Sequence, residues 1–246
     1  MGKIAKNKYK KYLFMKRSAS LAPYLPETRK MSRESLWSLV DKYGHVMVKP
    51  VWGSRGRGVI QVSDLGNDNY AIHYENMETM KSGKEDTYQY IKMKIGDASY
   101  MVQERITRPT INNRPFDMRV IVQRRKYSSR WVVTGRVIKV AGKNYIVSNN
   151  TRSNGKLLRF KKGIKRSSIS HLSVTALKSR IDKVSLRSAK RLKVLFPGHR
   201  IYGLDVATDR HGRVFIIEAN LYPAMSHFLK LKARKMYRRI LSYKRS

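Results

Sequence analysis

The 246-residue sequence predicts an α+β fold in one compact unit that could divide into two lobes. Short runs rich in β-branched residues, typical of strands, alternate with stretches whose apolar residues recur at helical spacing. Hydrophobic residues make up 41% of the chain, which is enough to bury a sizeable core. No internal repeat and no Gly/Ser-rich linker interrupts the pattern.

The composition restricts the chemistry and points to anionic partners. The chain has no cysteine, which excludes disulfides, thiolate metal sites and cysteine nucleophiles. Its 54 Lys and Arg against 16 Asp and Glu give a formal charge of +38. A field of that size attracts nucleic acid, nucleotides, acidic polymers or acidic lipid surfaces. The alternative is a solvated basic surface with no specific partner.

The sequence gives no sign of membrane insertion or secretion. No apolar run approaches the ~20 residues that a membrane span needs. The N-terminus, "MGKIAKNK", lacks the apolar core of a signal peptide. We therefore expect a cytoplasmic protein.

The N-terminal part predicts a basic irregular segment, then a helix and two strands. Residues 1–30 are basic, and Pro23 and Pro26 oppose a long helix there. "MSRESLWSLVDKYG" predicts a helix with an N-cap at Ser32 and a stop at Gly44, because its apolar residues recur at three and four positions. "VMVKPV" and "VIQV" predict the strands.

The central part predicts a helix over residues 75–95, three strands and a basic helix. The strands are "YMVQERI", "FDMRVIVQRR" and "WVVTGRVIKV", all rich in β-branched residues. The stretch Lys156–Lys193 contains thirteen Lys and Arg but one acid, Asp182. Its second half keeps an apolar stripe at helical spacing, which predicts a docked helix with a basic outer face.

The C-terminal part predicts a hairpin and an amphipathic basic helix. In "YGLDVATDRHGRVFIIEAN", Asp209 opens a turn and Gly212 closes it between two apolar strands. "HFLKLKARKMYRRILSYKRS" predicts a single helix. The residues expected on its inner face are Leu229, Ala233, Met236 and Ile240.

A glycine-rich loop lies in "VKPVWGSRGRGVIQV" and suggests phosphate binding. Its spacing differs from Walker A, and a strand instead of a Rossmann helix follows it. Glycines let backbone N–H groups approach phosphate oxygens closely, and neighbouring cations add charge. The candidate phosphate-binding residues are Lys49, Gly53, Ser54, Arg55, Gly56, Arg57 and Gly58. The alternative is a plain basic turn.

The C-terminal hairpin combines carboxylates with apolar strands. Glu218 and Asn220 are two positions apart on one strand, so both side chains leave the same face, and Asp205 lies on the preceding strand. Their oxygens are hard ligands suited to Mg²⁺, with Mn²⁺ as an alternative. The alternative to a metal site is an Asp/Glu pair neutralised by a nearby arginine.

Taken in order, these stretches resemble ATP-grasp proteins, and specifically the YheC/YheD family described as endospore coat-associated. "YLPET", "VMVKPVWGSRGRGV", "YMVQERI", "FDMRVIV" and "GLDVATDRHGRVFIIEANLYP" carry the resemblance over most of residues 20–225. It implies an ATP-grasp fold with two α+β lobes and ATP-Mg²⁺ between them. The N-terminal lobe would cover about 26–103 and the C-terminal lobe about 104–246, after a basic extension of residues 1–25.

The resemblance also implies roles for individual residues. The hinge that meets adenine would lie at "QERI", and a D-x-R pair would line the nucleotide pocket. The implied ATP-binding residues are Lys8, Lys49, Gly53, Ser54, Arg55, Gly56, Arg57, Gly58, Gln103, Glu104, Arg105, Ile106, Asp117 and Asn149. Asp205, Glu218 and Asn220 would be the metal ligands. The glycine pair that often follows the family's asparagine is absent here, where only Gly155 is found.

The implied reaction is the phosphorylation of a carboxylate to an acyl phosphate, which an amine or thiol then attacks. Such chemistry needs positioned Lys, Arg and Mg²⁺ but no covalent enzyme nucleophile. Arg119 and Arg136 are the candidate catalytic residues that would neutralise the phosphoryl group; the alternative is pairing with Asp117. The substrate would be an acidic molecule drawn in by the basic surface.

A second hypothesis is a structural protein without catalysis. The ATP-grasp scaffold would then serve as a polyanion-binding component of a spore or nucleoid, with nucleic acid among its partners. The Lys156–Lys193 segment and the C-terminal helix would carry that function. His227, although close to the predicted metal ligands, is more typical of a surface or packing histidine.

Overall fold

The computed structural model describes residues 2–53, 56–143, 145 and 155–245. The helices of these residues are α1 (Gly2–Lys6), α2 (Lys8–Lys16), a 3-10 turn (Ala22–Tyr24), α3 (Arg33–Tyr43), α4 (Lys84–Ile95), α5 (Phe160–Lys165), α6 (Val174–Leu195), α7 (Ser226–Lys230) and α8 (Arg234–Arg245). The strands are β1 (Thr28–Lys30), β2 (His45–Pro50), β3 (Ile60–Gly66), β4 (Asn69–Tyr74), β5 (Met77–Ser82), β6 (Tyr100–Glu104), β7 (Thr110–Ile111), β8 (Arg114–Gln123), β9 (Val132–Val140), β10 (Lys156–Arg159), β11 (Ile201–Thr208) and β12 (Val214–Asn220).

The chain forms two compact units, each built on one antiparallel sheet. The first unit comprises Met1–Tyr9, Pro26–Arg105 and Asn144–Val147, and the second comprises Lys10–Leu25, Ile106–Lys143 and Ser148–Ser246. The first sheet has the strand order β1-β6-β2-β3-β4-β5. The second has the order β10-β9-β8-β11-β12, with β7 paired to β8. The predicted α+β class is confirmed.

The first sheet has one apolar face and one partly polar face. Val46, Val48 and Val102 are fully buried in a core that also contains apolar residues of α3 and α4. Because side chains alternate along a strand, Lys49 and Gln103 point to the other face. Two of the predicted ATP-binding residues therefore share a surface that helices α3 and α4 do not cover.

Helix α3 has the ends that the sequence predicts. The hydroxyl of Ser32 accepts a hydrogen bond from the Ser35 N–H at 3.1 Å, which satisfies a donor of the first turn. Gly44 ends the helix in the left-handed conformation (φ 70°), and its N–H donates to the Val40 carbonyl at 2.7 Å.

The predicted helix over residues 75–95 is correct only in its second part. Met77–Ser82 forms β5, the outer strand of the first sheet, and α4 begins at Lys84. Glu75 has a positive φ of 58° in the turn that precedes β5. Most side chains of β5 are exposed, so the sequence shows no apolar alternation by which the strand could be recognised.

The second sheet is covered by helices on both faces. On β9, Val137 is buried with Ile240 of α8, whereas the adjacent Ile138 contacts Gly163 of α5 on the opposite side. We call these surfaces the α8 face and the α6 face, since α6 pairs with β9 through Arg136 on the side of Ile138. The basic helix predicted in the second half of Lys156–Lys193 is confirmed as α6.

The N-terminal segment is less irregular than the sequence predicts. Residues Lys8–Lys16 form α2, in which Tyr12 and Met15 are buried. Lys11 is 4% exposed, and its ammonium donates to the Ala219 carbonyl on β12, the outer strand of the second sheet, at 2.6 Å. The lysine-rich composition hides this packing, because long lysine stems can be buried while the head finds a hydrogen-bond acceptor.

The predicted C-terminal helix is broken into α7 and α8. Lys232 has a φ of 51° between them, and the Ala233 N–H donates to the Phe228 carbonyl at 3.2 Å. Phe228 and Ile240 are fully buried, whereas Leu229 is 54% exposed. The expectation that Leu229 points inward is therefore wrong, because the break rotates α7 relative to the helical pattern assumed for the whole segment.

The hairpin of β11 and β12 has the predicted turn. The Asp209 carboxylate accepts hydrogen bonds from the N–H groups of His211 and Arg213, both at 2.9 Å. Gly212 takes the positive φ (74°) that closes the turn.

Among the described helices, none has both the length and the hydropathy that a membrane crossing requires.

Glu27 links β1 and α3 in the first unit. Its carboxylate accepts hydrogen bonds from Lys42 Nζ at 2.8 Å, Tyr43 Oη at 2.8 Å and Arg29 Nη2 at 2.6 Å. The bond from Lys42, followed by those from Arg29 and Tyr43, outweighs partial burial and lowers the pKa of Glu27 to about 2.

We expect Glu27→Gln to lower the free energy of unfolding at pH 7 by about 1 kcal/mol, since the ion pairs are partly solvated. The wild-type contribution is present above the ordinary pKa of 4.5 and is lost as the pH falls toward about 2. Urea unfolding between these pH values should therefore show a weaker acid dependence in the variant. Glu78→Gln, at an exposed position, is the matched control. Identical acid dependence in Glu27→Gln and wild type would contradict the expectation.

Candidate functional site

A row of charged side chains crosses four neighbouring strands on the α8 face of the second sheet. It runs from Lys139 on β9 through Asp117 and Arg119 on β8 to Asp205 on β11 and Glu218 on β12. The strand register places Lys139 opposite Asp117, Arg119 opposite Asp205, and Asp205 opposite Glu218. Antiparallel pairing thus brings together residues that are far apart in the chain.

The centre of the row is a bidentate ion pair between Arg119 and Asp205. Arg119 Nε and Nη2 donate to the two carboxylate oxygens of Asp205, each at 3.0 Å. Lys139 Nζ lies 2.8 Å from Asp205 Oδ1 and 2.8 Å from Asp117 Oδ1. Such charge-assisted bonds hold both cations in fixed positions on the sheet.

Mutual electrostatics keeps the central groups charged. Burial by itself raises the pKa of Asp205, but Arg119 and Lys139 outweigh it and hold the pKa of that carboxyl well below its usual range. Burial lowers the pKa of Lys139 in turn, but Asp117 and Asp205 outweigh it, so the pKa of the ammonium is raised. Asp205 and Lys139 are therefore both charged at neutral pH.

Glu218 differs from the other carboxylates of the row. Asn220 donates through Nδ2 to Asp205 Oδ2 at 3.2 Å. Glu218, which is half-buried, accepts no hydrogen bond and forms no salt bridge within the part of the chain that the structure describes. Its charge contributes to the raised pKa of Arg119, after that of Asp205. A carboxylate in this position is ready to accept a cation or a donor.

In the first unit, Lys49 and Gln103 contact each other. Lys49 Nζ donates to Gln103 Oε1 at 2.5 Å, and Gln103 Nε2 donates to Thr28 Oγ1 at 2.8 Å. These bonds hold the Lys49 ammonium on the face of β2 that α3 and α4 leave uncovered. The strand β2 leads into the glycine-rich loop. The backbone N–H of Lys8 donates to the Val51 carbonyl at 3.0 Å, which brings Lys8 near the start of that loop.

The glycine-rich loop joins the antiparallel strands β2 and β3, so the predicted hairpin is confirmed. Gly53, Gly56 and Gly58 have φ values of 100°, 70° and 70°, which L side chains rarely adopt. A Cβ at Gly58 would also lie 2.6 Å from Tyr100 Oη. Arg57 is exposed. The remaining predicted loop residues, Ser54 and Arg55, and the predicted Asn149 lie outside the described residues.

The predicted hinge already uses several of its polar groups. The Glu104 N–H donates to the Glu27 carbonyl at 2.8 Å, and Glu104 Oε2 accepts from the Glu27 N–H at 3.1 Å. The Arg105 N–H donates to the His45 carbonyl at 3.3 Å. Ile106 is 8% exposed and packs in the second unit. The backbone N–H groups of Glu104 and Arg105 are therefore both hydrogen-bonded within the first unit.

Arg136 does not join the charged row. It lies on the α6 face, opposite in direction to Val137, and its guanidinium pairs with Asp182 of α6 through Nε–Oδ1 at 2.5 Å and a second bond from Nη2. The alternative pairing of Arg119 and Arg136 with Asp117 is not observed either, since Asp117 pairs with Lys139 and with Arg108, the latter at 3.2 Å. Of the two candidate catalytic arginines, the structure brings only Arg119 to the predicted metal ligands.

These arrangements agree with a comparison against known protein families. The model of the YheC/D like ATP-grasp family matches residues 2–246, which is nearly the whole chain. The chain belongs to this family. The resemblance noted in the sequence is thus confirmed, and the charged row belongs to an ATP-grasp scaffold.

Two curated relatives are proteins of Bacillus subtilis (strain 168). The endospore coat-associated protein YheD is 24% identical over 233 residues, which cover 90% of this chain and 49% of YheD. The endospore coat-associated protein YheC is 24% identical over 216 residues, which cover 85% of this chain and 57% of YheC. The chain therefore spans about half the length of the curated relatives that it matches.

The charged row fits a metal that arrives with phosphates better than a metal held by the protein alone. The cations Arg108, Arg119 and Lys139 balance the carboxylates Asp117, Asp205 and Glu218. The described residues include no group of three His, Cys, Asp or Glu that could hold a metal ion. Mg²⁺ bound to ATP needs only one or two protein carboxylates, because phosphates and water supply its other ligands. In this ATP-grasp chain, Glu218, Asn220 and Asp205 fit that role.

Sequence reasoning missed Lys139 and Arg108. Lys139 interrupts the β-branched run "WVVTGRVIKV", which is the same kind of signal that singled out Glu218, but its partner depends on the register of β8 and β9.

His227 is half-buried. Burial, followed by the charges of Arg119 and Lys139, lowers the pKa of His227 and favours the neutral ring beside the row.

Gly203 keeps space for the central ion pair. It lies two residues before Asp205 on β11, opposite Asn220. A Cβ at this position would overlap Pro223 and would lie 3.3 Å from Arg119 Cδ. The site therefore tolerates no side chain here without a shift of its neighbours.

We expect Gly203→Ala to destabilise the protein by ~1–3 kcal/mol, the usual cost of overpacking a filled site. Gly198→Ala is the matched control, because a Cβ at Gly198 has no heavy atom within 4 Å and this glycine also lacks a positive φ. Urea unfolding of both variants measures the difference. Equal stabilities would show that the Arg119 region can accommodate the methyl group.

Proposed function

We propose that this ATP-grasp chain binds ATP with Mg²⁺ and uses it to activate the carboxylate of an acidic substrate for attack by an amine or a thiol. The carrying observation is the charged row, in which Arg119 and Lys139 are both fixed by Asp205, the residue opposite Glu218. Glu218 has no hydrogen bond or salt bridge among the described residues. Family membership supports the ATP-binding scaffold. The substrate, the metal and the ligase reaction are the proposed parts.

The reaction would proceed in two steps. A carboxylate oxygen of the substrate attacks the γ-phosphorus of ATP, the bond to the β–γ bridging oxygen breaks, and ADP leaves. The amine or thiol then attacks the carbonyl carbon of the acyl phosphate, loses a proton to solvent, and inorganic phosphate leaves. Both steps develop negative charge on phosphoryl oxygens, which fixed cations stabilise.

The chain's own residues would hold and orient the phosphates. Both hydrogen bonds from Arg119 to Asp205 use Nε and Nη2, so Nη1 is the nitrogen that remains to meet a phosphoryl oxygen. Asp205 thereby orients the guanidinium before the substrate binds. Mg²⁺, when bound through Glu218, Asn220 and Asp205, would supply further neutralisation of the phosphate charge.

Glu218→Gln tests this proposal, since it removes a charge without removing a hydrogen bond to any described residue. We expect the affinity for ATP in the presence of Mg²⁺ to fall about tenfold or more, equivalent to ~1.4 kcal/mol, and the affinity without Mg²⁺ to stay unchanged. Calorimetric titration measures both. Glu78→Gln, an exposed glutamate of β5, is the charge-matched control.

Unchanged Mg²⁺-dependent affinity in Glu218→Gln would contradict the proposed metal site. The reaction itself is tested by the release of ADP and phosphate from Mg-ATP in the presence of a panel of carboxylic acids and amines. Release that requires both an acid and an amine or thiol supports the ligase. Tight ATP binding with no release under any combination would argue for a non-catalytic ATP-grasp protein.

We also propose an association with the spore. Both curated relatives carry names that associate them with the endospore coat, and the family match extends over nearly all of this chain. A fluorescent fusion of the chain, expressed in a sporulating host, should concentrate at the forespore surface. A fusion that stays evenly distributed in the mother cell would contradict the association.

A further inference from the structure

The formal charge is divided very unequally between the two units. The first unit contains 15 Lys and Arg and 11 Asp and Glu, which gives +4. The second contains 39 Lys and Arg and 5 Asp and Glu, which gives +34 of the total +38. Three of those five acids, Asp117, Asp182 and Asp205, are already paired with cations inside the unit. The surface of the second unit is therefore almost free of negative side chains.

Helix α8 carries the densest group of these cations. Residues 221–246 contain no acid. Six cations of α8 are exposed to solvent, namely Arg234, Lys235, Arg238, Arg239, Lys244 and Arg245. Four of them form like-charged pairs at i, i+4, which repel each other, and the two in the first turn oppose the helix dipole. These four charges weaken the helix, so its stability gives no reason for their presence.

The loop between β8 and β9 extends this basic surface. The Arg125 guanidinium lies 5.0 Å from the ring centre of Tyr243 at the end of α8. Lys126 and Tyr127 follow in the loop, and Tyr127 is 92% exposed. We define the α8 patch as the six α8 cations together with Arg125, Lys126 and Tyr127. It combines a line of cations with the exposed ring of Tyr127, over which the Lys126 ammonium lies at 4.9 Å from the ring centre.

The packing of α8 argues against a membrane as the partner. Its apolar side is used inside the second unit, since Ile240 is fully buried and Ala233 is 5% exposed. A helix that lies on a lipid surface must insert its apolar side instead. The exposed residues of α8 are cations apart from Ser242, which suits an anionic polymer in water.

Aromatic surface distinguishes single-stranded nucleic acid from other polyanions. Exposed Tyr127 offers a ring on which a base can stack, next to cations that can track a phosphate backbone. A cavity of about 300 Å³ beside the first turn of α8, lined by Leu229, Tyr237 and Arg238 among others, offers a second apolar surface beside a guanidinium. We propose that the α8 patch binds single-stranded nucleic acid, with the cations on the phosphates and Tyr127 stacked on a base.

The first experiment measures the salt dependence of binding to a fluorescent oligonucleotide of about 15 nucleotides, near the site size of single-strand binders. The variant replaces Arg234, Lys235, Arg238 and Arg239 with Gln. Because each lost phosphate contact lowers the slope of log K against log salt by ~0.7, we expect the slope to fall by about 3. Fluorescence anisotropy from low to moderate salt gives the slope.

The matched control replaces four exposed cations of α5 and its C-cap, Lys161, Lys162, Lys165 and Arg166, with Gln. It makes the same change in net charge on the α6 face of the second sheet, and its salt slope should match that of the wild type. An equal fall in both variants would overturn the proposal, since binding would then depend on net charge alone. Far-ultraviolet circular dichroism confirms that each variant is folded.

The second experiment tests the aromatic contact. Tyr127→Ala should weaken oligonucleotide binding about tenfold, the size expected for one stacked base, and should leave binding to heparin, which has no bases, unchanged. Equal effects of Tyr127→Ala on both ligands, or no effect on either, would overturn a base contact. Tighter binding to phosphatidylglycerol vesicles than to the oligonucleotide would overturn nucleic acid in favour of a membrane surface. Mg-ATP affinity should be unchanged in every patch variant, which separates this inference from the proposed ligase activity.

Discussion

The bidentate bond between Arg119 and Asp205 joins β8, the central strand of the second sheet, to its neighbour β11, and the neighbouring charges depend on it. Lys139 reaches the same carboxylate from β9, and Asn220 reaches it from β12, so one side chain contacts three others. Buried charges are tolerated only when they are paired, because an isolated ion loses its hydration without compensation. Removing Asp205 would leave Arg119 without its bidentate partner, while Lys139 would keep its ion pair with Asp117; removing Arg119 would leave a carboxylate opposite Glu218. The register of four strands is therefore tied to one set of charges.

The same pairing fixes the cations of the proposed phosphate site before any anion binds. Cations that are held by carboxylates do not need to rearrange when a phosphoryl group arrives, and this preorganisation is the main source of electrostatic catalysis. Glu218, which has no hydrogen bond or salt bridge among the described residues, is the carboxylate at the β12 end of the row. In the proposed complex, Glu218 would hold a metal at that end of the row, and Arg119 and Lys139 would hold the phosphates.

Three of the five acids of the second unit form ion pairs inside it, whereas many of its cations are exposed on its surface. Asp117, Asp182 and Asp205 neutralise buried cations of the sheet, while α8 and the β8–β9 loop carry cations without acidic neighbours in sequence. The formal charge of +38 therefore describes two different features. One is an internal row of paired charges, for which we propose a nucleotide, and the other is a basic surface, for which we propose single-stranded nucleic acid.

Local features of this protein followed from its sequence alone. The ends of α3 at Ser32 and Gly44, and the turn at Asp209, depend on neighbouring residues, so their patterns predicted them. The ATP-grasp resemblance also rested on short stretches in order. Contacts between distant residues needed the tertiary structure: Arg119 and Asp205 are 86 residues apart, and Lys139 and Asp205 are 66 apart. Strand alternation assigns a residue to one of two faces, but only the register and the helices packed on each face decide which partner it meets. For that reason the sequence suggested an arginine near the acids, and only the fold showed that it is Arg119 and that Arg136 points to α6.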